Sequence, residues 1–161
     1  MRGKILQLIA KNSKLTPEEI AKEINADPQQ VAKEIKLMEE NRVICGYNTL
    51  INYDNTDREL VTALIEVKVT PQRGDGYDKI AERIYRFDEV KAVYLMSGGF
   101  DLTVILEKSS LKEIALFVSD KLATIDSVTS TATHFVLKKY KDHGIVIERG
   151  DKKDRRMIIS P

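Results

Sequence analysis

Hydrophobic residues recur at two different spacings along this chain of 161 residues, and the spacing changes once. Up to about residue 41 the apolar positions fall three and four apart: Ile5, Leu8 and Ile9, then Ile20, Ala21 and Ile24, then Val31, Ile35 and Met38. That is the period of helices that each bury one stripe. From residue 60 the pattern alternates, with Val61, Ala63, Ile65, Val67 and Val69 on one side, as in a half-buried strand. Between the two lies Asn52-Tyr53-Asp54-Asn55-Thr56-Asp57, a run of polar turn formers without period. The pattern predicts a helical domain over residues 1–52, a linker over 53–59, a mixed domain over 60–141 and a C-terminal extension over 142–161.

Helix boundaries in the first domain are marked by capping residues. A first helix over residues 4–11 ends at the turn formers Asn12 and Ser13. Thr16-Pro17-Glu18-Glu19 starts the second: Thr16 can accept the N3 amide, Pro17 suits the first helical position, and Glu19 can return the bond. Asp27-Pro28-Gln29-Gln30 repeats the signal, with Gln30 in the reciprocal position, and leaves Asn25 and Ala26 as a very short turn. Three short helices, the last two tightly joined, make a helix-turn-helix whose third helix, running to about Asn41, is the recognition helix. Gln29 and Gln30 in its first turn suit adenine edges, Lys33 and Lys36 suit guanine or phosphate, and Arg42 adds a cation at its end. A purely structural three-helix bundle with a solvated outer face has the same spacing. Residues 43–52 read as extended with a bend at Gly46, predicting wing strands.

The second domain has its own order. After the strand over residues 60–70 come a loop over 71–76 and a helix over 77–87, in which Ile80, Ile84 and Phe87 share a face. A strand over 90–96 and another over 100–107 flank Ser97-Gly98-Gly99-Phe100-Asp101, where two glycines can supply the positive φ of a tight hairpin. Ser110-Leu111-Lys112-Glu113 is a further capping box, opening a helix that buries Ile114, Phe117, Val118 and Leu122, and residues 127–139 close the pattern as a β-branched strand. The order βαβ followed by βαβ is that of a ferredoxin-like α+β sheet with both helices on one face. Counted by strict alternation, Leu64, Val93, Leu95, Ile105, Phe135 and Leu137 take the other face and form an apolar patch, while His134 falls on the helix side. Burying that patch against a second copy predicts a symmetric dimer, whose two heads would match a two-fold symmetric DNA site.

Composition narrows this picture without redirecting it. A chain with 42% hydrophobic and 32% charged residues is an ordinary soluble protein. No run approaches the roughly 18 apolar residues of a membrane span, and Met1-Arg2-Gly3-Lys4 leads into an amphipathic helix rather than a signal peptide, so the expected location is cytoplasmic, with no membrane partner. A net charge of +1 leaves nucleic-acid binding to local arrangement. Cys45 is the only cysteine, which excludes an intrachain disulfide and a cysteine metal cluster, and it reads as a small packed residue beside Val43, Ile44 and Tyr47. The chain has no glycine-rich phosphate motif, catalytic-triad pattern or metal-ligand cluster. No enzyme activity, metal or cofactor is expected.

Three stretches, in this order and spacing, carry a family resemblance: Val43-Ile44-Cys45-Gly46-Tyr47 after the recognition helix, Ser97-Gly98-Gly99-Phe100-Asp101-Leu102 at the hairpin, and Val128-Thr129-Ser130-Thr131-Ala132-Thr133 in the last strand. Over roughly residues 5–141 the chain resembles the Lrp/AsnC, or feast/famine, transcription regulators. The resemblance implies a winged helix-turn-helix that binds double-stranded DNA, followed by a ligand-binding (RAM) domain. It further implies a homodimer building higher oligomers such as an octamer, and a small effector, commonly an amino acid, at an interface between those domains. It also places the effector at Ser97, Gly98, Gly99 and Asp101, with Thr131 and Thr133 on the nearby strand. The chemistry is consistent: amides around Gly98 and Gly99 can donate to an α-carboxylate, Asp101 can accept from an α-ammonium, and the threonines can complete the bonding. Plain turn chemistry and β-propensity account for the same residues.

The chain departs from that family in its head. The recognition helix has no arginine and includes Glu34, Glu39 and Glu40, so only Lys33, Lys36 and Arg42, with Lys14 and Lys22, are available to meet phosphate. A ligand-sensing oligomerisation module with weak or no DNA binding is therefore the alternative reading. In the extension, Ile145-Val146-Ile147 and Met157-Ile158-Ile159 flank Asp151-Lys152-Lys153-Asp154-Arg155-Arg156 and suggest an added hairpin.

Overall fold

Three helices make up the first of two units, Met1–Leu50; the second unit begins at Ile51. The computed structural model describes residues 1–71, 73–74 and 76–147. In the first unit α1 (Arg2–Lys11), α2 (Pro17–Ile24) and α3 (Pro28–Glu40) enclose Ile5, Ile20, Ala21, Val31 and Met38, with Leu8, Ile24 and Ile35 packed at the margin. Thr16 closes its capping box: the hydroxyl accepts from the Glu19 N–H at 3.3 Å, and the Glu19 carboxylate accepts from the Thr16 N–H at 2.8 Å. Asp27 accepts from the Gln30 N–H at 2.9 Å, but Gln30 stays exposed and α3 is capped from one side only. The short turn rests on Asn25, left-handed at φ 52°, and on the Ala26 N–H donating to the Ala21 carbonyl at 3.0 Å. Asparagine tolerates that conformation better than most residues.

The expected wing does not form: residues 43–52 contain no paired strand. The chain leaves α3 through Arg42 at φ 57°, and the Val43 and Ile44 N–H groups both donate to the Met38 carbonyl, at 2.8 and 3.0 Å. This left-handed cap satisfies the end of the helix and folds Ile44 back onto the core. The unit offers no second strand to pair with the segment that follows, so extended sequence alone does not make a ladder. Cys45, expected to be packed, is exposed, with its thiol on the Arg42 carbonyl at 3.2 Å.

The second unit follows the βαββαβ order: β1 (Val61–Val69), α4 (Tyr77–Tyr85), β2 (Val90–Leu95), β3 (Leu102–Lys108), α5 (Leu111–Phe117) and β4 (Val128–Phe135). All neighbouring strands are antiparallel, in the order β2-β3-β1-β4. Ser110 caps α5 by accepting from the Glu113 N–H at 3.2 Å, and its hydroxyl meets the Glu113 carboxylate at 3.2 Å. Past Phe117 that helix continues as a π-type turn, Val118–Leu122. Ile80 and Ile84 of α4 and Ile114, Phe117, Val118 and Leu122 of the second helix join Ala63, Ile65, Val67, Leu102, Val104 and Leu106 in one core. Two short strands, β5 (Lys141–Asp142) and β6 (Ile145–Val146), pair around His143 and Gly144, both at positive φ. The second half of the expected added hairpin, with the charged run at 151–156, lies outside the described residues.

The two outer strands overturn the count by strict alternation. Register shifts between Val90 and Ala92, so Val90 and Val93 both face the core, and Leu95 lies opposite the buried Leu102. A second shift, where Val69 pairs with Val128 but Lys68 with Ser130, puts Thr131, Thr133 and Phe135 on the helix side. Each bulge adds one residue and inverts the side of everything after it. His134 therefore lies on the open face, its Nε2 3.3 Å from Glu66 Oε1, and the strand expected to reach 139 ends at Phe135. The open face is consequently mixed rather than an apolar patch. Leu64, Ala92, Tyr94 and Ile105 share it with Thr62, Glu107 and the Glu66–His134 pair, and the Thr62 hydroxyl donates to Glu107 at 3.3 Å. Leu137, beyond the strand, is 96% exposed.

Candidate functional site

Burial sorts α3 into two faces. Val31 and Met38 are buried, whereas Gln29, Gln30, Lys33, Lys36 and, just past the helix, Arg42 are all exposed. At about 100° per residue, Gln29, Lys33, Lys36 and Glu40 form a row opposite the buried stripe, with Gln30 nearer a flank. Lys36 Nζ lies 4.0 Å from Glu40 Oε1 within that row. The other two carboxylates of the helix are bound from outside it: Arg2 Nε donates to Glu34, and the Tyr47 hydroxyl donates to Glu39 at 2.8 Å. Desolvation, reinforced by the hydrogen bond and negative charge of Glu39, pushes the Tyr47 hydroxyl above its ordinary pKa, so it remains a neutral donor.

The glycine loop is wider than a two-residue hairpin. The Met96 N–H donates to the Asp101 carbonyl at 2.8 Å, enclosing residues 97–100. Gly98 alone takes positive φ, at 139°, so only one of the two glycines is needed for its conformation. A Cβ at Gly98 or Gly99 would meet nothing within 4 Å, so the loop backbone is open to approach. Asp101 is already occupied structurally. Its N–H donates to the Val67 carbonyl at 3.1 Å, and its Oδ2 accepts from the Val69 N–H at 2.9 Å, tying the loop to the end of β1. Thr131 lies opposite Val67 and Thr133 opposite Ile65. Because β1 runs between β3 and β4, Asp101 and Thr131 sit about 10 Å apart across the sheet, with Thr133 further toward its middle. The six residues expected at the ligand thus share a region of the sheet without forming one contact set.

Sequence reasoning missed a charged cluster at the other end of the sheet. A cleft of about 370 Å³ there is lined by Arg58, Asp88, Glu89, Lys91, Lys108 and Glu113, among others. Glu89 Oε1 accepts from Lys121 Nζ at 2.9 Å and lies 3.3 Å from Lys108 Nζ. The Lys121 hydrogen bond first, then a backbone bond, with Lys108 adding to both, hold the Glu89 carboxyl down at about 2. The Lys121 ammonium also lies 5.3 and 5.4 Å from the rings of Phe87 and Phe117, which meet edge to face. No local pattern announces a pair 32 residues apart. Among the described residues no group of three side chains is arranged to hold a metal ion, and no helix is long and apolar enough to cross a membrane.

Comparison with known proteins follows the same division. The family model described as winged helix-turn-helix DNA-binding matches residues 1–44, and that described as the Lrp/AsnC ligand binding domain matches residues 62–146. The HTH-type transcriptional regulator YugG of Bacillus subtilis is 50% identical over 98% of this chain and 95% of its own length. The regulator LrpA of Pyrococcus horikoshii is 28% identical, over 85% of this chain and 94% of its own. Among solved structures, a transcriptional regulator of Neisseria meningitidis in complex with L-Met superposes with a TM-score of 0.71 at 23% identity, covering 88% of this chain and 90% of that one. The leucine response regulatory protein of Mycobacterium tuberculosis gives 0.74 at 18%, covering 91% and 97%. Two matched domains in the right order and a relative identical at half its positions establish that the chain belongs to the Lrp/AsnC family of HTH-type transcriptional regulators.

Proposed function

We propose that this regulator reads double-stranded DNA through Gln29, Gln30, Lys33, Lys36 and Arg42, and answers to a small effector, an amino acid, bound at an interface of its C-terminal domains beside Ser97, Gly98, Gly99 and Asp101, with Thr131 and Thr133 contributing. The observation that carries the first half is the segregation on α3, where the amides and lysines are exposed opposite the buried Val31 and Met38. In support of the second half, Ser97, Gly98 and Gly99 are exposed with open space beside both glycines, and the superposed Neisseria regulator is a complex with L-Met. The proposal includes a cytoplasmic homodimer built through the C-terminal domains, assembling further into an octamer. The exposed Tyr94, Leu95 and Leu137 give such contacts apolar surface. A ligand of this kind acts through its different affinity for two arrangements of the assembly.

Binding to the duplex upstream of the protein's own gene, titrated against salt, tests the DNA half. Affinity should fall as salt rises, and Lys33→Ala with Lys36→Ala should reduce the logarithmic slope by about two. A salt-independent or absent interaction overturns it and favours the second reading, a sensing and assembly module with little DNA affinity, which the three glutamates of α3 motivate. A thermal-shift screen of the common amino acids, with methionine included, tests the ligand half, since a ligand of the folded chain raises its melting temperature. The control is Asp101→Asn rather than Asp101→Ala, because asparagine keeps an acceptor for the Val69 N–H while removing the charge. No shift with any amino acid rejects that half.

A further inference from the structure

The recognition helix brings an unfavourable charge to DNA. Between Pro28 and Glu40 two lysines stand against Glu34, Glu39 and Glu40, so the side chains of α3 are negative in sum. A polyanion repels such a helix unless its carboxylates are neutralised or turned aside. Each of the three has a partner, and two of the partners come from outside the helix. Arg2 of α1 pairs with Glu34, whose side chain is only 19% exposed, and Tyr47 holds Glu39 by its hydroxyl at 2.8 Å. At about 100° per residue, Glu34 and Glu39 lie on the two flanks of the buried stripe, away from the row of Gln29, Lys33, Lys36 and Glu40, in which Glu40 has Lys36 as its partner. Arg2 supplies a compensating charge, whereas Tyr47 supplies position alone.

We propose that Arg2 and Tyr47 are positioning residues for DNA reading, holding the Glu34 and Glu39 carboxylates off the phosphate backbone so that the lysine row is the face α3 presents. The proposal rests on α3 being the DNA-contacting helix. Arg2 acts through Glu34 and not by touching phosphate, which gives it a distinctive signature in double variants.

The test measures affinity of the full chain for its upstream duplex and for an unrelated duplex at fixed salt, with the melting of each variant followed by circular dichroism. Arg2→Gln should weaken binding to both duplexes by about threefold to tenfold, as expected for one uncovered charge. Glu34→Gln alone should change it by less than about twofold, and the double variant should return to within about twofold of the parent. Tyr47→Phe should cost about twofold to threefold, relieved by Glu39→Gln. A double variant as weak as Arg2→Gln means that Arg2 contacts phosphate directly and overturns the proposal. A loss that only tracks the unfolded fraction overturns it as well. If the unaltered chain itself shows no salt-dependent binding, the DNA reading fails first, and that outcome is distinct from a parent that binds normally with variants that do not follow the pattern.

Discussion

The two units hold themselves together by different means. The head has five fully packed side chains around Ile20 and Val31, and depends on how its helices end: the Thr16 box, the Asp27 cap, and left-handed Asn25 and Arg42. The sheet unit has thirteen buried core side chains among its described residues, arranged about a strand bonded on both edges. Apart from the Arg2–Glu34 pair, the side-chain bonds of the head join near neighbours in sequence, whereas Val69 with Asp101 and Glu89 with Lys121 each span 32 positions. The difference predicts a head that is quick to form and readily lost, and a sheet that is slower to assemble and harder to break.

Calorimetry of core truncations should break or confirm this contrast most forcefully. Ile20→Ala removes about 2–5 kcal/mol from a head with little to spare, abolishing its transition and DNA binding while the sheet transition stays in place. Ile65→Ala, at the centre of β1, should cost the sheet a similar amount without unfolding it outright at room temperature. A single transition shifted equally by both variants would mean that the units melt as one.

Acid should act on the sheet unit through Glu89. Its carboxyl titrates at about 2 when folded against an ordinary 4.5, so the stabilisation is full above the ordinary value and is lost as pH falls from about 4.5 toward 2. After screening at a partly exposed site the loss should be about 1–2 kcal/mol, and Lys121→Met should flatten that stretch of the stability–pH curve. A profile unchanged by Lys121→Met would dissolve the pairing.

Smaller effects sharpen the head. Thr16→Ala should cost about 1 kcal/mol by removing one partner of the capping box, read as a lower melting temperature of the head transition alone. Arg42→Gly should raise that transition by about 0.5–1 kcal/mol, because glycine accepts φ 57° without the steric cost that arginine carries. The same change should weaken DNA binding, the opposite sign in a second measurement. Stabilisation without weaker binding would remove Arg42 from the DNA face.

Most of the head was legible because its determinants are local. Thr16 with Glu19 and Asp27 before Pro28 declare helix starts within four residues, and the buried stripe of each helix follows its period. The expected wing failed for the complementary reason: extended sequence becomes a strand only beside another strand, and Arg42 sends the chain off α3 without one. In the second unit the order of elements and the core-facing side of β1 were equally legible. The bulges were not, since a register shift depends on two strands at once, and they moved Val93, Leu95, Phe135 and His134 to the side opposite the one expected. The loop at residues 97–101 was legible from its glycines, but the commitment of Asp101 to Val69 was hidden by the distance between them in sequence.

Those two irregularities are confined to the outer strands, while β1 and β3 pair without interruption from Val61–Lys108 to Val67–Leu102. A chain with this arrangement has its length tolerance at the periphery. Deleting Lys91 or Thr129 would remove the odd residue and straighten one border strand with every remaining residue still opposite its present partner: Val90, Ala92 and Val93 across from Leu106, Ile105 and Val104, and Val128 and Ser130 across from Val69 and Lys68. Such deletions preserve parity. Each would leave both faces as they are while relieving one border strand of its local bend, which makes the bulged positions the places where this sheet can lose a residue without redesigning its core.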